Sequence, residues 1–363
     1  MFVSRRIIGC LIALVLSALP AGSVSNAAES KEAREQRLIE GAKKEGEVVI
    51  WHISNLNKRE VLAPFMKKYP FINVKTWRHR GAEGATKAIE EAKANLHSHD
   101  LSILADQNMG RILQAGLLAE YNWPNTKGWV HQPDHNFYRG IVASAKVPTF
   151  NTKTIVKADW PKTWEDLIDA KWQGRALAST SGEDTALYTA YFWRKGDREL
   201  NWDKSFKYWS DVITATKPKV SRGFTGPTEM LAAGTSSLLI WNAANTAQRA
   251  IWKGAPLQML PVGHLIAGNH SLAILKEAPH PNAARLFADY ITSREGLVPY
   301  ADTRAVLVNS LELAKVTKAN KDLEERGFTF SVLPHWAVTK ETNAKAVNFW
   351  LQQLGVKKKG RKR

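Results

Sequence analysis

The chain has 363 residues, 44% of them hydrophobic and 23% charged, a balance that excludes a disordered or fibrous polypeptide and, at this length, predicts two domains rather than one core. The formal charge is +17, but Arg5 and Arg6 stand in an N-terminal leader and six more cations in the final KKKGRKR, so the body without those two and those six carries +9. A body of that charge lacks the concentrated basic stripe of a nucleic-acid binder.

The two leader arginines precede a thirteen-residue apolar run, 7–19, and then Pro20, Ala21 and Gly22, the pattern of a secretory signal peptide. Small residues at Ser25 and Ala27 place cleavage after Ala27 or Ala28, giving a leader of residues 1–27. The run is shorter than the about 20 residues that cross a bilayer, and no later stretch is long enough. An exported, soluble mature chain is therefore expected. Ser4-Arg5-Arg6 has the beginning of a twin-arginine signal, but Gly9 falls where a large apolar residue is wanted, which favours ordinary secretion. The single cysteine, Cys10, lies within the leader, which leaves the mature chain no disulfide, thiolate ligand or cysteine nucleophile.

After a charged helical lead-in, residues 48–52 read as a short buried strand. A helix follows on the spacing of Val61, Leu62, Phe65, Met66 and Tyr69, with Asn57 as its cap and Pro70 as its stop. A strand at 73–77, a helix to about residue 96 and a strand at 101–104 continue the alternation, which predicts βαβ units and a parallel sheet. Residues 120–147 carry few periodic signals and read as a surface excursion before a crossover. In the second domain Thr163 and Asp166 form a capping pair, 175–178 is a strand, and the polar turn 179–184 opens a helix at 185–193. Helices at 204–216 and 228–233 follow, then a strand at 237–241 and a helix stopped at Gly254. Residues 257–275 read as strands returning to the first domain, and the remainder as mainly helical.

The stretches EGAKKEGEVVIWHISN (40–55), APFMKKYPFINV (63–74), PKTWEDLIDAKWQGR (161–175) and ILKEAPHPNAARLFADYITSREG (274–296) resemble family 1 extracellular solute-binding proteins, in the branch of ferric-iron, thiamine and phosphosugar binders. The likeness spans roughly residues 40–310. It implies a type II periplasmic-binding-protein-like α/β fold whose two lobes, each a mainly parallel sheet flanked by helices, are joined by crossover strands. Residues 46–145 with 268–350 would form one lobe, 150–262 the other, and 356–363 a basic disordered tail. It also implies a small-molecule solute, closure around it, delivery to an ABC importer permease in the inner membrane, and no cofactor. A periplasmic monomer is expected.

Ligands of open α/β sheets sit beyond the carboxyl ends of strands, where helix N-termini point. That rule selects His52, Ser54, Asn55, Arg80, Gly81 and Asp106 in the first lobe. In the second it selects Ser179, Thr180, Ser181 and Gly182, whose hydroxyls and backbone N–H groups suit an anion, and the adjoining Glu183 and Asp184, which suit a cation or complement the helix dipole. Arg222 precedes another helix, and Trp241 and Asn242 end a strand. The resemblance places Trp241 and Asn242 where iron-binding relatives carry paired tyrosines, so an organic anion or zwitterion, or iron as a chelate, is expected rather than a bare ferric ion. His97, His99 and Asp100 lie at the opposite end of the sheet and read as structural, as do His131, Asp134 and His135.

Two other classes make different demands. A secreted hydrolase would need a G-x-S-x-G elbow or H-E-x-x-H, and neither occurs; nor does a phosphate loop or dinucleotide fingerprint. A polyanion binder would show affinity that falls steeply with salt.

Overall fold

The computed structural model describes residues 30–53, 56–79 and 81–356. The expected leader, residues 357–363 of the expected tail, and Ser54, Asn55 and Arg80 lie outside them.

The first lobe opens with α1 (Lys31–Glu45), started by the Ser30 hydroxyl on the Ala33 N–H and ended at Gly46, whose φ of 68° suits a residue without Cβ. There follow β1 (Glu47–His52), α2 (Arg59–Lys68), β2 (Asn73–Arg78), α3 (Gly81–Lys93), β3 (Leu101–Ala105) and α4 (Asp106–Gln114). Helix α2 begins after Lys58, not Asn57, without a side-chain cap. Strand β4 (Tyr138–Asn151) then runs into the second lobe, which contains β5 (Ala176–Ser179), α5 (Thr185–Phe192), α6 (Trp202–Thr216), β6 (Lys219–Ser221), α7 (Thr225–Ala232), β7 (Leu238–Ala243), α8 (Ala244–Trp252) and β8 (Leu257–Met259). Strand β9 (His264–Ile274) returns. The chain ends with α9 (Pro281–Thr292), α10 (Arg294–Arg304), β10 (Leu307–Val308), α11 (Leu311–Ala314), α12 (Lys318–Glu325), β11 (Thr329–Val332) and α13 (Lys340–Gln353).

The strands join in the order β2-β1-β3-β9-β4-β7-β5-β6, with β8 and β10 on β4 and β11 on β9. β1 is parallel to β2 and β3, and β5 is parallel to β6 and β7, as the alternation predicts. The two long strands are antiparallel to each other and pass through both lobes. β9 pairs with β3 near its end, while β4 pairs with β7 near its own. The Thr163 and Asp166 pair is present, with reciprocal bonds of 2.9 and 3.3 Å, but opens only a single 3-10 turn.

Residues 120–137 carry no helix or strand, as expected, but strand β4 corrects the last part, 138–147, of the expected excursion. Its fourteen residues, YRGIVASAKVPTFN, are buried apart from Arg139. With both faces covered, its small and polar residues neither alternate with apolar ones nor form an apolar run, so no strand period shows. The chain's end also differs from expectation. Helix α13, expected with the first lobe, packs on α5 and α6, and its Trp350 joins Trp172, Trp209 and Trp241 as fully buried side chains of the second core. A first core gathers Phe65, Phe287, Tyr290 and Tyr300 under α1, α2, α9 and α10. Among the described residues no helix is long and apolar enough to cross a membrane.

Candidate functional site

Beyond the carboxyl ends of the strands of both lobes lies a cavity of about 870 Å³. The first lobe contributes Ile53, Arg78 and Gln107 and the second Thr180, Arg222 and Phe224, while Ser144, Lys146, Asn269 and His270 come from the crossing strands β4 and β9. Helices α3, α4, α5, α7 and α8 all begin at this lining, through Ala82, Gln107, Asp184, Thr225 and Asn245. The residues before α4, α7 and α8 are Ala105, Phe224 and Ala243, and none caps its helix with a side chain. Their first-turn N–H groups and the positive ends of their dipoles therefore favour negative charge at the cavity.

Side-chain charge points the same way. Arg78, Lys146, Arg222, Arg249 and Arg304 line the cavity against two carboxylates, Glu183 and Asp184. Lys146, buried in β4, reaches both Asp184 oxygens at 3.1 and 3.2 Å and lies over the rings of Phe224 and Tyr188. Burial, with Asp184 nearby, pushes the Tyr188 phenol well above its ordinary range. Arg249 donates to the Arg304 carbonyl at 2.6 Å, and Arg304 to the Tyr300 hydroxyl at 2.9 Å and to His270 Nδ1 at 3.3 Å. Burial drives the His270 pKa well below its ordinary value, and Arg304 and Lys146 push it further down, so the ring is neutral.

The turn after β5 is braced from behind. Ser179 Oγ accepts the Ser181 N–H at 3.0 Å and donates to the Gly223 carbonyl at 2.7 Å, while Ser181 Oγ accepts the Gly223 N–H at 3.2 Å. Gly182 is buried, and a Cβ there would stand 3.2 Å from Trp241 and 3.3 Å from Trp350. Thr180, Ser181, Glu183, Asp184 and Arg222 lie in the cavity wall; Ser179 and Gly182 support it from below. His52, at the end of β1, is fully buried, and Gly81 is the first residue of α3. Asp106, buried at the start of α4, accepts from the Ser271 hydroxyl and lines a small adjoining recess with Asp184 and Tyr188. Burial raises its pKa against the opposing pull of His335 and Ser271.

Trp241 and Asn242 lie elsewhere than expected. Trp241 is 2% exposed and packs among Trp209, Trp164 and Tyr188, so no ligand face remains for stacking. Asn242, fully buried, accepts from Thr228 and donates to Thr149, tying α7 to β4. The strand end faces its own lobe because both sides of β7 are covered.

Lys146, Asn245, Arg249, His270 and Arg304 also line the cavity, though none stands in a loop that the strand-end rule selects. Lys146, standing between Ala145 and Val147, was a readable signal, since a lysine inside a buried strand needs a partner. Arg249 and Arg304 fall near the ends of α8 and α10, where arginine ordinarily serves the helix dipole, and nothing local marks them. Among the described residues no cluster of three His, Cys, Asp or Glu could hold a metal ion.

Two α/β lobes joined by crossing strands over an interlobe cavity define a binding-protein architecture of the type II periplasmic class. Residues 55–297 match the model of the bacterial extracellular solute-binding protein family, and the chain belongs to that family. Solved structures share the fold at low identity. A Trichodesmium protein (IdiA, FutA) in complex with iron and citrate matches at 15% identity and a TM-score of 0.67, over 86% of this chain and 100% of that one. The binding protein AfuA of Actinobacillus pleuropneumoniae with fructose-6-phosphate matches at 19% and 0.63, over 86% and 99%. A substrate-binding protein of an ABC transporter from Agrobacterium tumefaciens matches at 14% and 0.70, over 86% and 96%. In sequence, a Serratia marcescens Fe(3+)-binding periplasmic protein is 35% identical over 79 residues, which span 21% of this chain and only 23% of that protein.

Proposed function

We propose that the chain is the periplasmic solute receptor of an ABC importer, which captures a small anionic solute between its lobes and hands it to a permease in the inner membrane. The observation that carries this reading is the charge of the cavity, five basic side chains against two carboxylates at the convergence of five helix N-termini. One carboxylate, Asp184, is already matched by Lys146. The leader sequence supports export, and family membership supports capture rather than turnover. Ferric iron suits this cavity better as an anionic chelate than as a bare ion, because among the described residues no three His, Cys, Asp or Glu side chains are grouped to ligate one.

Thermal denaturation of the purified protein against a panel of organic anions, phosphorylated sugars, phosphonates, ferric citrate, polyamines and amino acids tests the reading. A solute at 100 times its dissociation constant adds about 2.7 kcal/mol, a rise of roughly 5–11 °C at about 2–4 °C per kcal/mol for lobes of this size. Stabilisation by polyamines alone would reject an anionic cargo.

A further inference from the structure

We propose that the cavity wall beside the crossing strands holds a subsite for a dianionic tetrahedral oxyanion, a phosphoryl or phosphonyl group, built from Arg249, Arg304 and His270. The proposal rests on the anionic-solute reading above and says where the charge of that solute sits and in what form.

Arg304 is only 7% exposed, yet the hydrogen bonds of its guanidinium end on the neutral Tyr300 hydroxyl and on His270 Nδ1. Arg249 donates to the last carbonyl of α10 and to the Thr246 hydroxyl at 3.4 Å, again neutral groups. Among the described residues, Lys146 of the same wall has a carboxylate partner and these two arginines have none. Burial and the proximity of Arg304 both lower the Arg249 pKa, so the two cations feel each other across a poorly solvated corner. Buried cations without countercharge are costly, and a ligand that supplies the charge recovers that cost. Two cations facing one corner call for two negative charges on one group.

The donors in the corner specify its protonation state. A guanidinium donates five N–H bonds and accepts none. Arg304 can only donate to His270 Nδ1, so that atom accepts, and the neutral ring keeps its proton on Nε2 as one more donor. Asn245 spends its oxygen on the Ser144 hydroxyl and turns its amide towards the Arg304 carbonyl. Helix α8 starts beside it without a side-chain cap. A corner of donors holds a fully ionised oxyanion and disfavours one that carries a proton, because that proton would meet no acceptor.

Isothermal titration of the purified chain with methyl phosphate, methylphosphonate, sulfate and acetate at pH 5 and pH 8 tests this. Methyl phosphate should bind about tenfold tighter at pH 8, where it is a dianion, than at pH 5, because its second ionisation lies near 6. Sulfate, divalent throughout, should bind equally at both, and acetate more weakly than either. Arg249→Gln should weaken methyl phosphate at least tenfold, and Arg304→Lys, which keeps the charge but loses the fork, severalfold. If Arg304→Lys does not fold, Arg249→Gln decides. Parallel pH dependence for sulfate and methyl phosphate, unchanged affinity in the arginine variants, or acetate preferred over phosphate would each overturn the subsite while leaving an anionic cargo intact. If no anion binds and only cations stabilise the chain, the anionic reading itself fails.

Discussion

Polar residues gather at both ends of the first lobe's sheet, and the two gatherings are built on opposite terms. At the start of β3, Asp100 accepts the N–H groups of Val49 and His280 at 2.7 and 2.6 Å and faces His280 Nδ1 at 3.0 Å. His99 stacks flat on Trp51 at 3.7 Å, with Nε2 3.1 Å from Ser102 Oγ. Every one of these groups is satisfied by the protein itself. Across the sheet, in the cavity, Arg249 and Arg304 donate to neutral partners and keep their charge uncompensated. Residues of the same chemistry thus serve stability where their charges are matched internally and, in the proposed function, recognition where they are not.

The contrast breaks if stability and affinity respond together at both ends. The largest expected effect is at Trp241, where replacement by Ala should cost about 3–5 kcal/mol in urea unfolding, the usual cost of emptying a large buried aromatic site. Asp100→Ala comes next. It strands two backbone N–H groups and one imidazole nitrogen and should cost roughly 2–3 kcal/mol. Neither variant, where folded, should change the affinity for the stabilising solute by more than about twofold. A large affinity loss in Asp100→Ala would mean that the far end of the sheet takes part in binding.

A third effect, smaller again, depends on pH. Burial holds the His99 pKa down at about 3, with His79 and Lys87 adding to it, whereas the unfolded ring titrates near 6.5. Between these values the unfolded chain binds a proton that the folded chain refuses, so stability is full above pH 6.5 and falls as the pH drops towards 3. At pH 5 the loss is about 2 kcal/mol. His99→Phe keeps a ring on Trp51 and removes the titration, so its unfolding free energy should stay flatter from pH 7 to pH 5 than that of the parent chain. An equal slope in both proteins would assign the acid sensitivity to other groups.

The fold was legible wherever burial was one-sided or runs were short. The alternation from β1 to α4 and from β5 to α8 follows local rules of period and punctuation, and its boundaries fall within a few residues of those expected. β4 was not legible, because a strand covered on both faces tolerates Gly140, Ser144, Lys146 and Thr149 once tertiary partners satisfy them. The site divided along the same line. The turn 179–184 and Arg222 follow from strand-then-helix order, which is local. Arg249, His270 and Arg304 come from three separate elements that only the crossover of β4 and β9 brings together. Trp241 stood at a strand end, where the rule for ligand loops applies, but the side chain turned into a core completed by a helix more than 100 residues later.

That helix supplies the smallest and most discriminating test, because it touches both sides of the comparison at once. Trp350 is fully buried, donates its indole N–H to the Ser179 carbonyl at 2.9 Å and packs against Gly182, while the next residue, Leu351, reaches the cavity wall. Trp350→Phe keeps a ring in the core but leaves the Ser179 carbonyl without its donor, a loss of about 1 kcal/mol in unfolding free energy. If α13 only fills space, solute affinity stays unchanged. If the indole bond sets the Thr180 and Ser181 turn at the height the solute needs, affinity falls severalfold with the fold intact. The Ser179 hydroxyl bond to Gly223 joins that turn to the residue after Arg222, so the same variant should weaken any contribution that Arg222 makes. A double-mutant cycle between Trp350→Phe and Arg222→Ala reads that coupling directly. Additive losses would show that the two loops are set independently, and that the chain's last helix serves the core alone.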